Sequence, residues 1–139
     1  MNAWARRRAR RALVQAIYQW QLGGQPADAI GAQFADNGAL DRADAEFFDA
    51  CLRGVLDGAP ELDATFASYL DRSVAALDQV ERAILRAGAY ELRSRIDVPF
   101  RVAIDEYVRL AKTFGAEDSY KYVNGILDRV ARDLRTAET

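Results

Sequence analysis

No stretch of this chain alternates strictly between apolar and polar residues, whereas apolar side chains return repeatedly at helical spacing. That pattern leaves little room for a sheet and points to packed helices. Alanine, the strongest helix former, fills 26 of the 139 positions. The expected fold class is therefore all-α: a single domain (1–139) of six to seven helices. The segments 37–40 and 71–77 divide it into two small helical bundles, 1–70 and 71–139.

The first helix is expected from about Ala3 to Leu22, with Ala9, Leu13, Ala16, Ile17 and Trp20 on one face. Gly23-Gly24 ends it, and Pro26 suits the first turn of a second helix from about Ala27 to Phe34. A third helix is expected from near Asp41, burying Phe47, Phe48, Cys51, Leu52, Val55 and Leu56, until Gly58 and Pro60 break it. A short helix follows to Leu70. Asp78-Gln79-Val80-Glu81 has the form of a capping box and opens a helix to about Arg95. Gly88 in its middle marks a close helix crossing. The next helix runs from Pro99 to Phe114, with Arg101, Asp105 and Arg109 outside. The last runs from about Asp118 to Arg135, with Val123, Leu127, Val130 and Leu134 inward and 136–139 frayed.

Composition narrows the chemistry. The chain has no histidine and one cysteine, so a Ser-His-Asp relay, a histidine metal ligand, a CxxC site and an intrachain disulfide are all excluded. Glu81, Glu91, Asp105 and Glu106 are scattered rather than paired, and no glycine-rich phosphate loop is present. The expectation is a protein that is not an enzyme and uses no cofactor and no metal. A lone cysteine suits a reducing cytoplasm. No apolar run approaches the roughly 20 residues needed to span a bilayer. The stretch Ala12–Leu22 is interrupted by Gln15, Gln19 and Gln21, and so makes a poor signal-peptide core.

The formal charge of −2 conceals an uneven distribution. Arg6, Arg7, Arg8, Arg10 and Arg11 give residues 1–27 a charge of +5 with no acid, leaving −7 for the rest. These guanidiniums repel one another and oppose the helix dipole at an N-terminus. A polyanion would relieve both penalties through bidentate phosphate contacts and counterion release. The alternative is a solvated basic end that aids solubility. Arg7, Arg11, Val14 and Tyr18 form one stripe opposite Leu13 and Trp20, expected to face solvent as a contact surface or to lie under a second helix.

A second constellation spans Phe114-Gly115-Ala116-Glu117-Asp118-Ser119-Tyr120-Lys121-Tyr122. Asp118 and Tyr122 share one helix face beside Lys121. An exposed aromatic beside a cation can stack an unpaired base, and a carboxylate can accept from a base amino group. In the structural reading, Asp118 or Ser119 caps the last helix and the aromatics are core.

Taken together, these motifs resemble the NusB family of bacterial transcription antitermination factors over essentially the whole chain. The resemblance rests on Asp97-Val98-Pro99, Val102-Ala103-Ile104-Asp105-Glu106, Leu110-Ala111-Lys112, Phe114-Gly115-Ala116-Glu117-Asp118 and Val123-Asn124-Gly125-Ile126-Leu127-Asp128. Arg6-Arg7-Arg8-Ala9-Arg10 followed by Val14-Gln15-Ala16-Ile17-Tyr18 adds the N-terminal half. It implies two small helical bundles and binding to the single-stranded boxA sequence of ribosomal RNA leader transcripts. It also implies a heterodimer with NusE, a small-subunit ribosomal protein, and indirect association with RNA polymerase and other Nus factors. By position, Arg6, Arg7, Arg8, Arg10, Phe114, Asp118 and Tyr122 would contact RNA, and Tyr18 and Glu81 would face NusE. Asp105 stands where asparagine is frequent, Ala75 where a carboxylate can occur, and Arg11 adds a charge with no assigned role. Two other readings are a helical protein-interaction module and an RNA-binding module related to that of RNA methyltransferases. The last expects a cofactor domain, and no cofactor loop stands in these residues.

Overall fold

A computed structural model describes residues 2–139. Among them are seven α-helices and two single 3-10 turns, with no strand. The helices are α1 (Ala3–Gly23), α2 (Ala27–Asp36), α3 (Ala45–Asp57), α4 (Ala59–Phe66), α5 (Gln79–Ser94), α6 (Phe100–Phe114) and α7 (Ser119–Leu134). The all-α expectation holds, and Ala9, Leu13, Ala16 and Ile17 are buried as the wheel required.

Local chemistry sets the boundaries. The Asn2 side chain accepts from the Ala5 N–H and starts α1. Gly24, at φ 71°, ends it with a left-handed turn in which its N–H reaches the Trp20 carbonyl. The third helix starts at Ala45 rather than near Asp41. Residues 37–43 form turns with Gly38 and Arg42 at positive φ, and Asp44 accepts from the Phe47 N–H as the N-cap. The helix ending at Phe66 gives way to a 3-10 turn over Ala67–Tyr69. Asp78 caps α5 through the Glu81 N–H at 2.8 Å, the first half of the capping box.

Helix α5 packs against α1, α3, α4, α6 and α7, so one buried core runs from Ala9 on α1 to Ala131 on α7. Gly88 lies where a Cβ would meet Leu127 Cδ1 at 2.8 Å, which is the close crossing of α5 and α7. Two expectations at the chain end are corrected. Leu134 is exposed, whereas its neighbour Arg135 is buried and donates to the carbonyls of Glu91, Leu92, Arg95 and Val98. Residues 136–139 are exposed but form a turn anchored at Glu138 rather than a frayed end, because Glu138 accepts from the Phe100 N–H and from Arg135. No described helix is long and apolar enough to cross a membrane.

Candidate nucleic-acid interface

The turn of α1 sorts the arginines by direction. Arg6 and Arg10 lie four residues apart and both point toward α3, with their guanidiniums 4.6 and 5.0 Å from the Phe47 ring centre. Arg6 bonds to Asp97 at 3.1 Å and approaches Asp44 at 3.5 Å. Arg10 is only 3% exposed and binds Glu91, itself fully buried, through Nε at 2.7 Å and Nη2 at 3.0 Å. The Tyr107 hydroxyl donates to the same carboxylate. Where the resemblance implies an RNA contact, the structure holds Arg10 in a core ion pair, its Nε and Nη2 engaged by Glu91 and its side chain largely out of water.

Arg7, Arg8 and Arg11 lead outward. Arg7 bonds to Glu106 through Nε at 3.2 Å and Nη2 at 3.1 Å, yet much of its side chain remains exposed. Arg8 is exposed and donates from Nε to the Asp41 carbonyl at 3.2 Å. Arg11 is exposed, with its guanidinium 4.9 Å from the centre of the Phe114 ring. That places Phe114, half-buried at the end of α6, under a cation supplied by α1.

The solvent-facing stripe holds only in part. Tyr18 is 39% exposed, but Val14 is 2% exposed. Val14, Gln15, Tyr18, Val80 and Phe114 line a cleft of about 210 Å³ between α1, the start of α5 and the end of α6. For Val14 the covered alternative holds, because the first turn of α5 and the end of α6 close over that side of α1. Tyr18 also borders a wider groove of about 540 Å³ with Leu22, Phe34 and Asn37. Phe114 and Tyr18, assigned by resemblance to different ligands, thus share one cleft.

At the start of α7, Asp118 occupies the N-cap position at φ 66° but makes no side-chain cap bond, which corrects the capping reading. Its carboxylate is exposed and lies 3.4 Å from Lys121 Nζ. Tyr122 is half-buried and its hydroxyl donates to Asp71 at 2.9 Å, while Arg72 lies 5.4 Å from its ring centre. The Arg72 guanidinium first, and the Tyr122 hydroxyl second, hold the Asp71 carboxyl down to about 2. Tyr122, Lys121, Tyr69 and Arg129 line a separate shallow cleft, so Tyr122 and Phe114 open onto different clefts. Glu81 is 8% exposed and accepts from the Ser119 hydroxyl at 2.7 Å, tying α5 to the start of α7. Burial raises its carboxyl above the ordinary range despite that bond. Glu81, which the resemblance implies at the NusE-facing side, thus positions the start of α7.

Four features escaped the sequence reading. Glu106 and Glu91, dismissed as scattered, are the carboxylates that orient Arg7 and Arg10. Trp4 and Arg109 stand exposed beside Arg7, Arg8 and Arg11 and line one cleft with them. The only sequence signal for Glu106 was its place on the inner face of α6.

The chain matches the family model described as "NusB family" over residues 7–132. It is 56% identical to the transcription antitermination protein NusB of Alcanivorax borkumensis, covering 96% of this chain and 89% of that one. It is 50% identical to the protein of the same name from Paraburkholderia phymatum, covering 97% and 93%. Its fold superposes on T. maritima NusB with a TM-score of 0.81 at 34% identity, over 92% of this chain and 91% of that one. Sequence, fold and the basic helical edge thus agree, and the chain belongs to the NusB family of transcription antitermination proteins.

Proposed function

We propose that this chain is a non-catalytic adaptor of the cytoplasm that binds single-stranded boxA RNA of ribosomal RNA leader transcripts together with NusE. Through NusE it joins the antitermination complex on RNA polymerase. The observation that carries the reading is the convergence of Arg7, Arg8 and Arg11 on the outer side of α1, with Arg11 over Phe114. Guanidiniums neutralise phosphates, and an aromatic ring at their edge can stack an unpaired base. Asp118 and Tyr122 extend the RNA surface along α7, and Arg6 supports it from behind through Asp97. Tyr18, at the mouth of the Phe114 cleft, faces NusE, and Glu81 aids that contact by fixing the helices beneath it. The remainder of the chain carries a net −7, which favours approach of a polyanion at the basic start of α1.

The test is a titration of boxA RNA and of a scrambled strand, each with and without NusE. Preferential binding of boxA, tightened by NusE, is expected. Equal and weak binding of both strands in every condition would sink the proposal. Arg7→Ala should lower the affinity and make the salt dependence shallower by about one unit of slope. An unchanged slope would place Arg7 off the RNA.

A further inference from the structure

We infer that Trp4 is a nucleobase-stacking platform which, with Arg8, Arg11 and Arg109, forms a further single-stranded RNA subsite at the start of α1. Trp4 is 62% exposed, although a tryptophan gains more than almost any other side chain from burial. The other tryptophan, Trp20, is packed against the core, with the Arg86 guanidinium 5.6 Å from its ring centre. Among the described residues no cation lies over the Trp4 ring, and its exposed side chain lines an open cleft.

What surrounds the indole selects the ligand. Trp4, Arg7, Arg8, Arg11, Arg109, Leu110 and Thr113 line a cleft of about 310 Å³. Four guanidiniums meet there, and the nearby carboxylate of Glu106 is largely buried and already engaged by Arg7. Arg109 only grazes it at 4.0 Å and stays exposed. An apolar protein segment seated on the indole would bury these cations without counter-charges, which is costly. A nucleotide offers a flat ring for the indole and a phosphate for the guanidiniums at the same time. Arg11 lines this cleft and also lies over Phe114, so the two aromatic sites are bridged by one cation. This subsite rests on the RNA-binding reading above and extends it.

The experiment measures binding of a labelled boxA single strand to the full chain, with NusE present. Trp4→Ala should weaken binding about 5- to 100-fold while leaving the salt slope unchanged, because no charge is lost. Trp4→Phe should recover most of the affinity, and Arg109→Ala should lower the slope by about one. Abasic replacement along the strand should reveal one position that costs the wild type but not Trp4→Ala. Circular dichroism of Trp4→Ala should match the wild type, as befits an exposed side chain. Wild-type affinity in Trp4→Ala, or equal loss in Trp4→Phe, would overturn the subsite while leaving boxA binding intact. Unchanged RNA affinity with weakened NusE binding would overturn it in favour of protein docking. Failure of the wild type to prefer boxA would overturn the RNA-binding reading itself, and the subsite with it.

Discussion

Arg10 and Arg11 are adjacent in sequence, and one helical step of about 100° gives them opposite fates. Arg11 reaches solvent over Phe114, while Arg10 is drawn into the core by Glu91 and Tyr107. A buried carboxylate is tolerable only while its partners stay in place. Arg10→Met should therefore destabilise the fold by about 3–5 kcal/mol, read as a lower urea midpoint. Adding Glu91→Gln should return much of that loss, because the charge left behind is removed and Tyr107 keeps an acceptor. A double variant no more stable than Arg10→Met would show that packing, not charge, sets the cost. Phe47 concentrates the same logic: the guanidiniums of Arg6, Arg10 and Arg95 all lie within 5.0 Å of its ring centre.

At the scale of elements, the end of α5 is held from outside itself. The last carbonyls of a helix have no partners within it. Here Arg135, just past the end of α7, donates to those of Glu91 and Leu92, to that of the C-cap residue Arg95, and to Val98 in the following loop. One planar side chain thereby ties the end of α7 to the end of α5 and to the loop that leads into α6. Arg135→Ala should cost about 3 kcal/mol, since the buried carbonyls of Leu92 and Val98 lose their donor and those of Glu91 and Arg95 keep only a backbone N–H. Arg135→Lys should recover less than half of it, because an ammonium cannot span the same fork. Equal stability of Arg135→Lys and wild type in thermal melts would contradict this account. Glu138 adds a cap to α6 through the Phe100 N–H, compensating for Pro99, which offers no side-chain acceptor.

For the whole molecule, the pairing of α5 with α7 has a pH signature. Glu81 is buried against Ser119, and its carboxyl is raised because burial disfavours the charged form. The unfolded chain releases that proton at lower pH than the folded one, so the folded state binds more protons just above the ordinary carboxylate range. Stability from this group is complete below the unfolded value and is lost as pH rises through the folded one. Glu81→Gln should flatten that part of the stability-against-pH curve while keeping an acceptor for Ser119. An undiminished slope would assign the dependence to another group.

The alanine content and the three-to-four spacing determined an all-helical chain, because those properties act within one helix and need no partner. Helix starts such as Asp78 and stops such as Gly24 were legible for the same reason: a cap is a local hydrogen bond. The crossing at Gly88 was legible because only a missing side chain admits the neighbouring helix so closely. The basic edge was legible as charge, but its division was not. Which arginines face solvent depended on Glu91 and Glu106, which lie 81 and 99 residues along the chain from Arg10 and Arg7. Burial of Val14, anchoring of the chain end through Glu138 and exposure of Trp4 were likewise decided only when distant helices met. The sequence by itself determined which residues are charged, apolar or helical. The tertiary structure decided which charges are spent inside and which remain for a ligand, because desolvation and ion pairing depend on distances that no local pattern contains.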